Sequence, residues 1–353
     1  MNILHLAAAN RWTGAAAPAF AEVEALRAAG LEAHYAYVGG YKLEAKLAGC
    51  SFAHPILDRA QNPVSFLRSA RAIRRLIREH GIGLVHAHLT WDHWLARFAA
   101  RRLPVRVART FHSRRALRLD PLTSSLIRST NALFIVNETL RESRALRGRA
   151  VMFTPPPLDQ RLFTPAGPDV RARYGIDTAA KVIAAIGKIA TGRGFEDVLR
   201  TFALVRRDHA GLRLMIIGDG PHRGALEKLA GQLGLGTSVL WAGYHEDDLP
   251  EHYRAADLLL FTASGSDEGH RAVIEALGCG LPPAVFPIAG VQVLLGPLAP
   301  RLVAASSTPE ALAAVVAGLL RSPRGELADA AAEQGRMFIY ARAAERLRAG
   351  YDA

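Results

Sequence analysis

The chain has 353 residues, half of them apolar, so it is long enough to bury the cores of two domains. Its two cysteines, Cys50 and Cys279, are too few for a disulfide framework or a cysteine metal cluster, which favours a reducing compartment. The net charge of +12 is uneven, because residues 1–165 carry 24 Lys and Arg against 11 Asp and Glu, whereas residues 166–353 carry 20 against 21. This predicts anionic partners for the first half, namely a membrane surface, a phosphorylated lipid or nucleic acid, with an arginine-rich solvated surface as the alternative.

Apolar runs typical of strands alternate with amphipathic runs typical of helices along the first half. The predicted elements are a strand at Asn2–Ala7, a helix at Ala16–Ala29, a strand at Glu32–Val38, a basic helix at Pro63–Glu79, and strands at Leu84–Ala87, Val105–Thr110 and Ala132–Val136. This alternation predicts a parallel sheet with helices on both faces, and ligands beyond the carboxyl ends of its strands. The first residues lack a basic segment and their apolar stretch is too short for a signal peptide, so we expect a cytoplasmic protein.

Five prolines interrupt the alternation between Thr154 and Asp169, which predicts a domain boundary there. The elements predicted after it are strands at Lys181–Gly187, Leu212–Gly218, Val239–Ala242, Leu258–Thr262 and Pro283–Phe286, and helices at Phe195–His209, His222–Leu233 and about Ala328 to Tyr351. We therefore predict an α/β protein with two doubly wound, Rossmann-like domains at 1–165 and 166–335, and a final segment, 336–353, that packs back on the first. The uncharged stretch 276–300 is long enough to span a bilayer, but its five prolines predict buried strand and loops instead.

Two cations flank a glycine in the loop after the first strand of the second half. Lys188 and Arg193 stand on either side of Gly192, just before the helix predicted at Phe195. Glycines let backbone N–H groups approach an anion and a helix amino terminus adds partial positive charge, so this loop suits a diphosphate. An ordinary loop with surface cations is the alternative. Gly14, in the first strand-to-helix turn, is a weaker indication of a turn whose backbone amides face a phosphate.

A second polar group follows the strand predicted at Leu258–Thr262. Asp267 stands at the mouth of a helix predicted to begin near Gly269, and Glu275 lies about two turns into it. Arg271 and Glu275 are four residues apart, so they share a helix face and can pair. The two carboxylates suit the hydroxyls of a sugar and a ribose, while Arg271 orients Glu275 or meets a phosphate. The alternatives are a helix cap at Asp267 and a surface ion pair.

Three histidines stand at predicted carboxyl ends of strands, where a site belongs. His86 and His88 alternate at the end of one strand, and His112 follows the next. Such a group can bind a metal or line a cleft. Because the sequence shows neither an HxxxH helix nor a supporting carboxylate, we predict a polar lining and no metal, with a structural histidine as the alternative for each.

Together these segments resemble the retaining glycosyltransferases of family 4, which have the GT-B fold. The most specific match is at residues 275–282, Glu-Ala-Leu-Gly-Cys-Gly-Leu-Pro, where the family has Glu-Ala-Met-Ala-Cys-Gly-Leu-Pro. Asp267 stands eight residues earlier, where the family usually has Glu. The segment 187–195 matches the family's Gly-Arg and Lys-Gly-Phe with the two cations exchanged, and the stretches 84–88, 214–221 and 306–320 are also similar.

The resemblance implies a metal-independent hexosyltransferase that uses a nucleotide-diphosphate sugar as substrate and needs no cofactor. It implies catalytic roles for His112, Lys188, Arg193 and Asp267, and donor binding by Gly14, Lys188, Arg193, Tyr244, Asp267, Gly269, Arg271 and Glu275. One segment departs from the family: residues 289–293 read Ala-Gly-Val-Gln-Val, where Gly-Gly-x-Pro-Glu is common. The missing glutamate leaves open an altered donor or weak activity.

The positive charge of the first half predicts where an acceptor or a membrane binds. We predict these contacts at five arginines: Arg68, Arg71, Arg75, Arg114 and Arg115. The first three lie mostly on one face of the helix at Pro63–Glu79. We therefore expect a peripheral protein on the inner face of the cytoplasmic membrane, with a lipid-linked or lipopolysaccharide-type acceptor used in cell-envelope polysaccharide synthesis.

Three other functions stay open from the sequence. A homologue with little activity would act as a scaffold, which the missing loop glutamate motivates. A sugar-nucleotide epimerase of the same fold would convert the donor without an acceptor. Nucleic-acid binding rests on charge alone, and without a helix-turn-helix or an aromatic-interleaved basic motif we expect no nucleic-acid partner.

Overall fold

The computed structural model describes residues 1–9, 12, 14–263, 270–322 and 324–353. These residues form two compact units. The amino-terminal unit comprises Met1–Pro157 together with Phe338–Ala353, and the carboxy-terminal unit comprises the described residues of Leu158–Gly265 and His270–Met337. In the part of the chain that is described, no helix combines the length and the apolar character needed to cross a bilayer.

The amino-terminal unit is built on a parallel sheet of seven described strands. They are Asn2–Ala7 (β1), Ala33–Val38 (β2), Ala53–Leu57 (β3), Ile82–Ala87 (β4), Arg106–Phe111 (β5), Ala132–Ile135 (β6) and Met152–Phe153 (β7). Their order across the sheet is β3-β2-β1-β4-β5-β6-β7, and every neighbouring pair is parallel. The chain turns from one half of the sheet to the other between β1 and β4, so their carboxyl ends border the crevice where such sheets bind ligands.

Helices cover both faces of this sheet. They are Ala16–Ala28 (α1), Lys42–Leu47 (α2), Pro63–Glu79 (α3), Thr90–Ala99 (α4) and Pro121–Arg128 (α5). Ile3 and Leu4 are adjacent in β1 but belong to different core clusters, as expected for a strand that is buried on both faces. The basic helix α3 has the predicted bounds because the side chain of Asn62 caps it, accepting a hydrogen bond of 2.9 Å from the N–H of Ser65.

The carboxy-terminal unit repeats this design with five described strands. They are Val182–Ile186 (β8), Arg213–Ile217 (β9), Val239–Gly243 (β10), Leu258–Phe261 (β11) and Pro283–Val285 (β12), in the order β10-β9-β8-β11-β12 and all parallel. The helices are Phe195–Arg206 (α6), Arg223–Gln232 (α7), Leu249–Ala255 (α8), Arg271–Gly278 (α9), Val291–Leu295 (α10), Ala299–Leu302 (α11), Pro309–Arg321 (α12) and Arg324–Gly335 (α13). The strand order reverses between β8 and β11. The uncharged stretch 276–300 forms strand, short helices and loop, as predicted.

The domain boundary lies after Pro157, not after Pro165 as the proline cluster suggested. Residues 158–168 are bound to the carboxy-terminal unit by contacts that composition does not indicate. Arg254 donates hydrogen bonds to the carbonyls of Leu162, Thr164 and Pro168 at 3.3, 3.3 and 2.7 Å. Leu158, only 2% exposed, fills the space above Gly278. Most of the proline-rich segment is therefore packed structure.

The single final helix predicted from about Ala328 to Tyr351 is wrong. Helix α13 ends at Gly335, a short 3₁₀ turn follows, and a separate helix, Tyr340–Asp352 (α14), belongs to the amino-terminal unit. Gly335 lies against the backbone of α9, where a Cβ would come 2.8 Å from the carbonyl oxygen of Leu277. Ile339 has a non-helical backbone and is the cap residue of α14, which packs on α1. This break depends on tertiary contacts that helix periodicity does not encode.

Candidate functional site

The loop after β8 carries the two predicted cations and is bound to the neighbouring strand ends. The N–H of Gly187 donates to the carbonyl of Ile217 at 3.0 Å, and the N–H of Ile189 donates to the carbonyl of Asp219 at 3.0 Å. On the other side, Thr262 Oγ1 donates to the carbonyl of Gly194 at 2.7 Å. The loop is therefore held between the carboxyl ends of β9 and β11, at the edge where open parallel sheets bind ligands.

Glycines make this close packing of backbones possible. Gly218 has φ +144° and lies so close to the loop that a Cβ would overlap the carbonyl of Gly187. Gly220 is likewise too close to the carbonyl of Ile189 to carry a side chain. Gly194, with φ +76°, is the cap residue of α6, and a Cβ there would overlap Thr262. The family-like stretch 214–221 therefore packs directly against residues 187–194, the cation loop.

Lys188 is exposed and Arg193 is partly buried, both just ahead of the amino end of α6. Within the described residues neither side chain has a hydrogen bond or an ion pair. The acidic residues of the first turn of α6 are bound to other groups, since Glu196 contacts His222 at 2.6 Å and Asp197 contacts Arg200 at 3.1 Å. Two cations thus lie on the loop that leads into a helix amino terminus, an arrangement that can stabilise an anion.

Glu275 is held in α9 by two side chains. Arg271 Nε lies 3.1 Å from Glu275 Oε1, as the four-residue spacing predicts, and Tyr253 Oη donates to Glu275 Oε2 at 2.9 Å. Tyr253 is fully buried, and burial together with the charge of Glu275 raises its pKa well above the usual range, so it remains a hydrogen-bond donor. The sequence did not indicate Tyr253 as a partner, because it lies in α8 and is brought to Glu275 only by the fold.

Four further residues were predicted to bind the donor, namely Gly14, Tyr244, Asp267 and Gly269. Asp267 and Gly269 lie outside the described residues. Tyr244 is exposed just after β10, and its hydroxyl donates to Glu246 Oε2 at 2.8 Å. Gly14 is exposed in the turn before α1, in the amino-terminal unit, with no atom close to a Cβ position.

The predicted histidines of the amino-terminal unit form a chain of contacts with a residue that the sequence did not indicate. His112 Nε2 lies 3.0 Å from His88 Nδ1, and His88 Nε2 lies 2.9 Å from Nδ1 of His5, in the middle of β1. Burial, with a smaller contribution from the charge of Arg109, lowers the pKa of His112 to about 3. His112 is therefore neutral at physiological pH and can act as a hydrogen-bond donor or acceptor without carrying charge.

The sequence shows no carboxylate cluster beside these histidines, but the structure places one carboxylate next to His86 and His88. Glu22 in α1 is 1% exposed and its Oε2 lies 3.6 Å from His5 Nδ1, 3.9 Å from His86 Nδ1 and 3.7 Å from His88 Nε2. Burial raises the pKa of Glu22 well above its usual range. The sequence did not show this contact because Glu22 lies on a helix more than sixty residues before His86.

Comparison with known proteins identifies the family. The pattern of the family described as Glycosyl transferases group 1 matches residues 168–338, and that of Glycosyltransferase Family 4 matches residues 12–147. The chain belongs to this glycosyltransferase family. Among curated relatives, D-inositol 3-phosphate glycosyltransferase of Segniliparus rotundus is 30% identical over 175 residues, which are 48% of this chain and 39% of that protein. The chain thus matches well under two thirds of that relative's length.

Solved structures show that the chain has the GT-B fold. The Anabaena protein HepE, solved in complex with UDP and glucose, superposes with a TM-score of 0.80 over 100% of both chains at 14% identity. A glycosyltransferase of Rickettsia africae superposes with a TM-score of 0.81, covering 99% of this chain and 97% of that one, at 16% identity. At such low identities the likeness shows the fold alone. It confirms the prediction of two Rossmann-like domains.

The arginines predicted to bind an acceptor or a membrane all lie in the amino-terminal unit. Arg68, Arg71 and Arg75 are exposed on α3, where Arg68 lies 3.4 Å from Asp58 and Arg75 lies 3.8 Å from Glu79. Arg114 and Arg115 are exposed in a short 3₁₀ turn, with Arg114 Nη2 donating to the carbonyl of Thr139 at 2.9 Å. Exposed pairs of this kind are weak, so these charges stay accessible to an anionic partner.

Proposed function

We propose that the protein is a retaining, metal-independent hexosyltransferase that moves a sugar from a nucleotide-diphosphate donor to a lipid-linked or lipopolysaccharide-type acceptor. The observation that carries the proposal is the pair Lys188 and Arg193, which have no partner among the described residues and stand ahead of the amino end of α6. Their loop is held by backbone contacts to β9 and β11, so the cations need little reorganisation when a diphosphate binds.

The proposed mechanism depends on charge development at the leaving group. As the glycosidic C–O bond breaks, the departing nucleoside diphosphate becomes more negative, and Lys188, Arg193 and the helix terminus stabilise that charge. Arg193 can contact phosphate oxygens with two parallel hydrogen bonds, whereas Lys188 acts as a point charge. These groups supply the electrostatic stabilisation, so the proposal requires no metal at the diphosphate.

Other residues position the donor in this proposal. Glu275 accepts hydrogen bonds from the ribose hydroxyls, and its pairing with Arg271 and Tyr253 keeps the carboxylate in one orientation. Tyr244 borders the base, and Gly14 lets backbone amides approach the donor. His112 and Asp267 contact the transferred sugar, and Gly269 contributes to binding the donor. The complex of the structural neighbour HepE with UDP and glucose supports a nucleotide-sugar donor here.

A calorimetric titration with UDP, GDP and ADP tests the donor assignment. We expect the chain to bind one of these nucleotides more tightly than its monophosphate, because the second phosphate meets Lys188 and Arg193. Binding should persist in the presence of a chelator, since cationic side chains supply the charge. If none of the diphosphates binds, the proposal fails and the scaffold alternative is favoured. Binding that requires added Mg²⁺ would contradict the metal-independent mechanism.

Exposed apolar residues accompany the arginines and support a membrane-bound acceptor. Val64 and Leu67 on α3 are 67% and 41% exposed, and their spacing places them on the helix face of Arg68, Arg71 and Arg75. After Arg114 and Arg115, Leu119 and Leu122 are 64% and 68% exposed. A surface that combines basic and apolar side chains is typical of proteins that lie on an anionic bilayer.

Replacing Arg68, Arg71 and Arg75 together by Gln should weaken binding to anionic vesicles by about 100-fold at low salt, since each basic residue near the surface contributes roughly 1 kcal/mol. Vesicle co-sedimentation with phosphatidylglycerol measures the effect, and binding of the unmodified protein should fall as salt is raised. The matched control replaces Arg200, Arg207 and Arg321, three exposed arginines of the carboxy-terminal unit. Equal loss in both variants would show a non-specific charge effect and contradict the assigned surface.

A further inference from the structure

A buried group of three histidines and one glutamate lies in the amino-terminal unit, apart from the proposed diphosphate loop. His5 comes from β1, Glu22 from α1, and His86 and His88 from the end of β4. All four side chains are at most 1% exposed. Each offers one nitrogen or oxygen atom, and these atoms all lie within 4.8 Å of one another. Imidazole nitrogens with one carboxylate oxygen form a donor set that suits Zn²⁺.

Glu22 points into this group without making a hydrogen bond. Its Oε2 is buried and has no hydrogen-bond partner among the described residues. It stands 3.6, 3.9 and 3.7 Å from the nearest nitrogens of His5, His86 and His88, which is too far for a hydrogen bond. In a tetrahedral zinc site with bonds of ~2.0–2.1 Å, neighbouring ligand atoms are ~3.3 Å apart. Coordination would therefore bring Glu22 Oε2 closer to the three nitrogens and would separate His5 Nδ1 from His88 Nε2, which are 2.9 Å apart.

The outward nitrogens of the same histidines have the partners that ligating histidines need. His5 Nε2 lies 3.2 Å from Tyr351 Oη, His86 Nε2 lies 2.7 Å from Thr110 Oγ1, and His88 Nδ1 lies 3.0 Å from His112 Nε2. Such outer contacts fix the tautomer and the ring orientation of a metal ligand. Tyr351 Oη also lies 2.7 Å from His86 Nδ1, and His5 Nδ1 lies 2.9 Å from His88 Nε2, two contacts that coordination would replace.

We propose that His5, Glu22, His86 and His88 form a buried structural site for one Zn²⁺ ion. With all four positions filled by protein, the site is closed, which is the pattern of structural rather than catalytic zinc. The ion would compensate the charge of Glu22, whose burial without a partner is otherwise costly. It would join α1 to β1 and β4. The proposal does not depend on the proposed transfer reaction, in which Lys188 and Arg193 act at the diphosphate without a metal.

Zinc analysis of the untagged full-length protein tests the proposal. After treatment with a chelator and dialysis, calorimetric titration should show one tightly bound Zn²⁺ per chain, and Co²⁺ in its place should give the visible absorption of a tetrahedral site. Bound Zn²⁺ should also raise the thermal midpoint, because an ion that binds only the folded state stabilises it. A wild-type protein that binds no Zn²⁺ and whose midpoint does not change would overturn the proposal before any variant is made.

The variant Glu22→Gln keeps the size of the side chain and removes its charge. We expect its zinc affinity to fall by at least about 100-fold, with near-ultraviolet circular dichroism unchanged and a clearly smaller rise of the thermal midpoint on adding Zn²⁺ than in the wild type. A second cluster needs a control, since His34, His54 and His80 also lie close together and are less buried. The double variant H54Q/H80Q should keep the tight site. If it loses the ion while Glu22→Gln retains it, the ion occupies the second cluster and the proposal is wrong.

Discussion

Replacing Lys188 by Ala is expected to lower kcat at least about 100-fold, and replacing both Lys188 and Arg193 should nearly abolish transfer. One preorganised donor at a developing negative charge typically contributes roughly 3 kcal/mol to the transition state. Within the described residues no side chain neutralises these two cations, so both charges are available to the diphosphate and removing them takes away that stabilisation. Steady-state kinetics with the donor identified by titration measures the change.

A matched control separates charge at the site from charge in general. Lys228 is exposed on α7 of the same unit, and Lys228→Ala should leave kcat and the thermal midpoint close to the wild-type values. Lys188→Ala should leave the midpoint unchanged as well, because Lys188 is exposed and makes no hydrogen bond or ion pair with the described residues. Near-normal turnover in the double variant, with the fold intact, would rule out the electrostatic mechanism.

The second large effect is expected from Gly218→Ala, at the carboxyl end of β9. Its φ of +144° disfavours a side chain, and a Cβ would overlap the carbonyl of Gly187. Strain of this kind typically costs 1–3 kcal/mol from the backbone and 1–3 kcal/mol from overpacking, so the free energy of unfolding should fall by about 3 kcal/mol. The N–H of Gly218 also donates to the carbonyl of Gly243 at 2.7 Å, and a shift there would move the cation loop.

Chemical denaturation measures the free energy of unfolding of this variant. Titration with the donor measures its affinity, which falls if the cation loop has shifted. The control is Gly211→Ala, just before the amino end of the same strand, where φ is not positive and no atom lies within 4 Å of a Cβ. It should change the free energy of unfolding by less than about 1 kcal/mol. If Gly218→Ala were as stable as Gly211→Ala and bound the donor normally, the backbone contact between β9 and the cation loop would not support the site.

Prediction from the sequence worked where the signal is local. The strand predicted at Asn2–Ala7 and the basic helix predicted at Pro63–Glu79 have the predicted bounds, and the strand predicted at Val239–Ala242 extends by one residue to Gly243. These elements follow from periodicity, which is encoded within a few residues. The pairing of Arg271 with Glu275 follows from helical spacing and is confirmed at 3.1 Å. The motif at 275–282 was sufficient to indicate the family, and the family patterns confirm it.

The features that sequence reasoning missed depend on residues far apart in the chain. Tyr253 reaches Glu275 from another helix, and Glu22 reaches three histidines from two strands. The helix break after Gly335 reflects close packing on α9, and the early boundary after Pro157 reflects contacts of Arg254. None of these has a periodic or compositional signal, because the partner is chosen by packing.

By itself, the sequence determined the fold class, the family and the residue types at the carboxyl ends of the strands, since these depend on hydrophobic period, loop chemistry and short motifs. Only the tertiary structure decided which of those residues lie together and which are buried. It left Lys188 and Arg193 without partners in the described part of the chain, and it enclosed Glu22 among histidines. The physical reason is that charge and coordination act over a few ångströms in space, whatever the separation in sequence.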